Sequence, residues 1–181
     1  MAQVGIFFGT DTGNTRKVAK WIHKALNDEQ VAKPVNINRV SLDDLMGYDV
    51  LILGTPTLGD GELPGLDAQA ETESWQEFVD QNMDDADFSG KKIAMFGLGD
   101  QMGYADEFVD ALGELYDIFS DAGATMIGSW PSAGYEFTSS GALDDESKEF
   151  VGLVIDQDNQ ADLTQERINQ WVETIKPELG L

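Results

Sequence analysis

Thr10-Asp11-Thr12-Gly13-Asn14-Thr15 follows the apolar run Val4 to Phe8 and leads into a helical pattern that begins near Arg16. Three hydroxyl side chains, a glycine able to take positive φ and the free N–H groups of a helix start make a concave nest for a phosphate dianion. The loop contains no Lys or Arg. A triphosphate loop needs Gly-x-x-x-x-Gly-Lys-[Ser/Thr], whereas Gly9 and Gly13 stand one residue too close and no lysine follows, which disfavours ATP and GTP. On this stretch alone, an ordinary strand-to-helix turn capped by Thr15 or Asn14 fits equally well. The other loops must decide.

Outward from this turn, Gln3 to Phe8 reads as a buried strand, and Val18, Ile22, Ala25 and Leu26 as the apolar stripe of a helix packed on it. Pro34 opens a second strand over Val35 to Val40, paired parallel to the first through a right-handed crossover. Ser41 with Asp43 and Asp44 starts a brief helix through Met46. Asp49 to Leu53 is a third strand, ended by a turn-rich loop from Gly54 to Gly65, and loops this long in a compact domain are usually functional.

A helix with Trp75, Phe78 and Val79 on one face precedes a strand over Lys91 to Phe96. That strand runs into Gly97-Leu98-Gly99-Asp100-Gln101-Met102-Gly103-Tyr104, where the third glycine of the dinucleotide fingerprint would fall on Met102, so Rossmann-type NAD binding is disfavoured. Phe108, Leu112, Leu115, Tyr116 and Phe119 give a helical stripe that stops before Gly123. Thr125 to Trp130 reads as a strand, Pro131 to about Glu149 as a polar intervening segment, and Phe150 to Ile155 as a further strand. The last helix carries Ile168, Trp171, Val172 and Ile175 and is expected to stop at Pro177.

Strands alternating with helices predict an α/β fold with an open, doubly wound parallel sheet, and ligands in such sheets lie beyond the carboxyl ends of the strands. By that rule the loops over 9–15, 54–65 and 97–107 converge. The first suits a phosphate, and the other two offer glycine-rich backbone with Leu58 and Tyr104 as covers for a flat ring.

The chain has 181 residues, 41% of them hydrophobic, and no repeat or linker, which predicts a single domain over 1–181. Cys is absent and His23 is the only histidine, so disulfides, thiol chemistry, cysteine-ligated clusters and the usual zinc and haem ligand sets are excluded. Any redox cofactor must be organic. The start of the chain lacks a signal pattern and no run approaches the ~20 apolar residues of a membrane span, which predicts a cytoplasmic protein. A formal charge of −23 opposes nucleic acid and anionic membrane and favours basic protein partners. Between Val40 and Gly90 there are thirteen acids and no base, and between Ile93 and Ser147 eleven acids and no base. Solubility alone explains the sum but not these two base-free stretches.

Together these motifs resemble the long-chain flavodoxins. The phosphate loop matches that family's Thr/Ser-x-Thr-Gly-x-Thr pattern, Thr55-Pro56-Thr57 and the Gly-x-Gly-Asp-Gln-x-Gly-Tyr at 97–104 match its two flavin-flanking loops, and the segment over 131–149 matches its insertion. The resemblance implies a five-stranded sheet of order 2-1-3-4-5, its fifth strand split by that insertion. It implies non-covalent FMN cycling between semiquinone and hydroquinone in a monomeric electron carrier that is not an enzyme. Thr10, Asp11, Thr12, Gly13, Asn14 and Thr15 would then hold the phosphate. Thr55, Pro56, Thr57, Leu58 and Gly59 would border one side of the ring, and Gly97, Leu98, Gly99, Asp100 and Tyr104 the other. Leu58 departs from the tryptophan many members place there, which removes π-stacking from the inner face.

Leu58 to Gly65, with Arg16-Lys17, is similar to the flavodoxins that feed electrons to nitrogenase iron protein in nitrogen fixation; the alternative is general exchange with ferredoxin-NADP reductase or other flavin- or iron–sulfur-containing reductases. Two other classes fit less well. A flavin-dependent quinone or nitro-compound reductase needs a basic nicotinamide-phosphate pocket, which the acidic loops do not offer. A phosphoacceptor signalling domain needs an Asp after the third strand and a Lys after the fifth, where this chain has Gly54-Thr55 and no Lys until Lys148.

Overall fold

The computed structural model describes residues 2–181. In β1 (Val4–Phe8), Val4, Ile6 and Phe8 join one core cluster and Phe7 the other. β3 (Val50–Pro56) divides in the same way into Val50 and Ile52 against Leu51 and Leu53, and β4 (Lys92–Leu98) into Ala94 and Phe96 against Ile93 and Met95. Apolar side chains on both faces with a period of two are what a parallel sheet between helix layers requires. One cluster is completed by Val18 and Ile22 of α1 (Asn14–Leu26) and Ile168 and Trp171 of α5 (Thr164–Leu179). The other takes Leu45 from α2 (Leu42–Met46), Trp75 and Phe78 from α3 (Trp75–Asn82), and Leu112 and Phe119 from α4 (Asp110–Asp121).

With β2 (Val35–Asn36) and β5 (Thr125–Ile127), the sheet order is β2-β1-β3-β4-β5, all parallel. β4 carries two partners on one flank. Lys92 to Ala94 pair with β5, whereas Phe96 to Leu98 pair with β8 (Leu153–Ile155). The fifth strand is therefore split, as expected. The segment between its halves folds out as the antiparallel pair β6 (Trp130–Pro131) and β7 (Glu149–Phe150). Among the described residues, no helix is long and apolar enough to cross a membrane.

Five expected elements are corrected. β2 ends at Asn36 instead of Val40, because the Asn36 side chain accepts the Asn38 N–H (3.1 Å) and caps a 3-10 turn over Ile37–Arg39. Thr125 to Trp130 and Phe150 to Ile155 are each two elements rather than one, since Trp130 and Phe150 pair with each other outside the main sheet. Phe108 lies before α4 rather than inside it, the turn being made at Val109 with φ +50. Pro177 does not stop α5, which runs on to the buried Leu179 and closes at Gly180 in the left-handed region. A proline removes one ladder bond, and an anchored final turn survives that loss.

Candidate functional site

α1 begins at Asn14, and its N-cap is Gly13 at φ +95, so neither Thr15 nor Asn14 is the cap. No side chain caps this helix start, which leaves first-turn N–H groups turned into the loop without a protein acceptor. The Gly13 N–H donates to Thr10 Oγ1 (3.0 Å), closing the turn. Among the described residues, Ser74 Oγ is the buried side-chain oxygen with no hydrogen-bond partner, and it abuts Gly9 at the root of the loop.

A cleft of about 300 Å³ opens where this loop meets the ends of β3 and β4. Asp11, Thr12, Asn14 and Thr15 line it from the first loop, Pro56, Thr57 and Leu58 from the second, and Leu98, Gly99, Asp100 and Tyr104 from the third. The three loops thus come together as the topology requires. Thr10 and Gly13 shape the first loop from behind. Thr55 and Gly97 do not reach the cleft: Thr55 is fully buried with its hydroxyl on Pro56 O (2.8 Å), and Gly97 is pressed against Leu112 of α4. Gly59 sits outside it, on an exposed turn closed by Leu58 N–H to Glu62 O (2.9 Å) and Glu62 N–H to Leu58 O (2.7 Å). Leu58 is half-buried and Tyr104 is 50% exposed, so one cover is fixed and the other stands free of the core.

Gln157 and Asp158 also line the cleft, outside the three loops the motifs mark. They follow β8, and the carboxyl-end rule applied to the second half of the fifth strand would have found them. Asp156, fully buried beside them, ties the last two loops together. Its carboxylate accepts the Gln101 N–H and side-chain amide, the Asp158 and Asn159 N–H groups, and the Asn159 amide, at 2.8–3.1 Å. Asp100 accepts from the Gly103 and Met102 N–H groups and from Asn159, and these bonds, that from Gly103 foremost, hold its carboxyl below the usual range. Partial desolvation, with the charges of Asp100 and Asp156, holds Asp158 above it.

The insertion braces the third loop along its length. Glu136 N–H donates to Gln101 Oε1 (2.6 Å), Thr138 and Ser139 N–H both reach Ala105 O (2.8 and 3.0 Å), and Gly141 N–H reaches Asp110 Oδ1 (2.6 Å). Its own anchor is Tyr135, whose hydroxyl donates to Val154 O (2.6 Å) under the Arg167 guanidinium, 4.1 Å from the ring centroid. Burial pushes that phenol up to about 12, so it remains a donor throughout the ordinary pH range.

A parallel sheet of this order, with an uncapped phosphate-type turn and a ring-sized cleft at the β1/β3 reversal, defines a doubly wound mononucleotide-binding protein. The family model described as Flavodoxin matches residues 6–171. The chain belongs to the flavodoxin family, electron-transfer proteins rather than enzymes, whose cofactor is FMN. It is 61% identical over 176 residues to a flavodoxin of Klebsiella pneumoniae, covering 97% of this chain and 98% of that one. Flavodoxin 1 of Escherichia coli (strain K12) is 48% identical over 181 residues, 100% of this chain and 97% of that one. The crystal structure of Fusobacterium nucleatum flavodoxin bound to flavin mononucleotide superposes with a TM-score of 0.85 at 29% identity, covering 98% of this chain and 99% of that one.

Proposed function

We propose that this chain is a single-domain, monomeric, cytoplasmic carrier of single electrons at low potential, holding FMN without a covalent bond and delivering electrons to nitrogenase iron protein. The observation that carries the flavin reading is the convergence of three loops on one cleft behind an uncapped helix start. The donor set fits the group. Backbone N–H groups and the hydroxyls of Thr12 and Thr15 suit a phosphate without any cation in the loop, with Thr10 closing the turn behind them, and Leu58 and Tyr104 suit the two faces of a flat ring.

Bound FMN supplies two successive one-electron reductions. The Gly59-Asp60 peptide would help keep these steps apart: Gly59 at φ +52 tolerates either backbone orientation at little cost, so its carbonyl is free to turn and accept a hydrogen bond at the edge of the cleft. Asp100, Asp156 and Asp158 oppose negative charge on the ring. One carboxylate about 12 Å away at an effective dielectric of ~20 costs roughly 1.4 kcal/mol, or about 60 mV for one electron, before screening. The same acids draw in a basic partner.

The acceptor rests on the similarity of Leu58 to Gly65 and Arg16-Lys17 to the nitrogenase-donor flavodoxins. Stepwise reduction of the yellow protein tests the flavin reading, which a protein left colourless by added FMN would overturn. Electron delivery from the fully reduced protein to purified nitrogenase iron protein, set against exchange with a ferredoxin-NADP reductase, tests the acceptor. Transfer to the reductase alone would leave the general carrier and remove the nitrogen-fixation role.

A further inference from the structure

Several bases of this acidic chain meet at one place. Of its 11 Lys and Arg, Arg16, Lys20, Lys33 and Arg39 line a single concavity of about 510 Å³, together with His23, the only histidine. No acid lines it. The concavity lies between α1 and the stretch that runs from Lys33 through β2 to Arg39, and it shares no lining residue with the flavin cleft.

The spacing builds one wall: residues 16, 20 and 23 follow the i, i+4, i+7 rule and share one face of α1. Like charges four apart on a helix repel, so this arrangement does nothing for the helix itself. Two side chains are positioned by the fold. The Arg16 guanidinium lies 5.8 Å from the Phe8 ring centroid, and His23 Nε2 meets the Val31 carbonyl at 3.3 Å. Phe8 and Val35 give the floor an apolar character between the charged walls.

We propose that this concavity binds a nucleoside phosphate, the phosphates held by the arginine and lysine heads and the base laid on the apolar floor. Convergent Arg and Lys without a carboxylate partner is the chemistry of phosphate recognition. An inorganic anion would leave the apolar floor uncovered, and the volume falls within the range of small-molecule sites. The overall charge of −23 does not forbid it, because at physiological ionic strength charges beyond about 8 Å are screened and the nearest groups are cations.

The single histidine makes the test direct. The His23 ring signals of the FMN-loaded protein are followed by proton NMR at constant pH and about 0.1 M ionic strength while ADP is added. The expected result is a saturable displacement with a sub-millimolar midpoint, with adenosine and inorganic phosphate each weaker by about tenfold or more. The double variant Lys20→Gln/Arg39→Gln, both exposed and away from the flavin cleft, keeps its visible flavin spectrum and loses about tenfold in ADP affinity. No saturation by about 10 mM ADP, equal response to phosphate alone, or an unchanged midpoint in the double variant overturns the proposal.

Discussion

Asp156 and Gln101 are joined twice, the carboxylate accepting the Gln101 backbone N–H at 3.1 Å and its side-chain amide at 2.8 Å. Through this pair the loop after β8 sets the position of the loop after β4, and the same Gln101 side chain accepts from Glu136 of the insertion at 2.6 Å. Asp156→Ala leaves several donors at a fully buried position without an acceptor. Each unsatisfied buried donor costs about 1–3 kcal/mol, so a loss of about 3 kcal/mol or more in urea unfolding is expected, with FMN affinity reduced about tenfold. A stability change within about 0.5 kcal/mol of the parent would remove Asp156 from this role.

Tyr104 is exposed, so Tyr104→Ala is expected to leave the apoprotein's stability within about 0.5 kcal/mol while raising the FMN dissociation constant up to tenfold through lost stacking. Leu58→Trp should act in the opposite sense by about the same factor. Fluorescence titration of each apoprotein reads both, and an unchanged affinity in Tyr104→Ala would place the ring elsewhere.

Gly59→Ala places a Cβ 2.7 Å from Glu62 Oε1 at a backbone of φ +52. Holding an L-residue in that region costs about 1–2 kcal/mol, so the balance between the turn's two orientations changes and the first reduction potential is expected to shift by about 40–90 mV. Spectroelectrochemistry gives the value, and a first potential within about 10 mV of the parent would rule out the turn as its control.

Asp158, with its pKa raised, takes up a proton at higher pH than Asp100, whose pKa is lowered. As pH falls, the charge at the cleft rim drops first at Asp158, and the second reduction potential rises by tens of mV. Asp158→Asn should show that rise at neutral pH and lack its share of the pH dependence. Asp100 behaves in the reverse sense for stability: its contribution is fully present above the ordinary value of 3.8 and disappears as pH falls through the lowered folded value.

A Cβ at Gly113 of α4 would stand 2.2 Å from Gly141 O of the insertion. Gly113→Ala is therefore expected to cost about 1–3 kcal/mol by forcing the two apart, despite alanine's better helix propensity. A thermal melt above that of the parent would show that the insertion yields freely.

The central strands and the three site loops were legible because each strand is an apolar run and each loop is marked by Gly, Pro or Thr at fixed positions. Less legible were features set by side chains acting on backbone at a distance. Asn36 bonding Asn38 N–H shortened β2, and the Trp130–Phe150 pairing broke two apparent strands. Thr55 and Gly97 stand in the same motifs as cleft residues, yet strand geometry turns them into the core. The long-range half of the Asp156 clamp has no local signal, since its partner Gln101 lies 55 residues away.

Dividing the fifth strand leaves the sheet without a usable margin. One border offers only the two residues of β2, and the other is broken into three-residue pieces, β5 and β8, with a hairpin between them. A long unpaired border is a template on which a second chain can add a strand, and here neither side provides one. Excising the insertion to give a continuous fifth strand would create such a template, and with it a border open to edge-to-edge pairing.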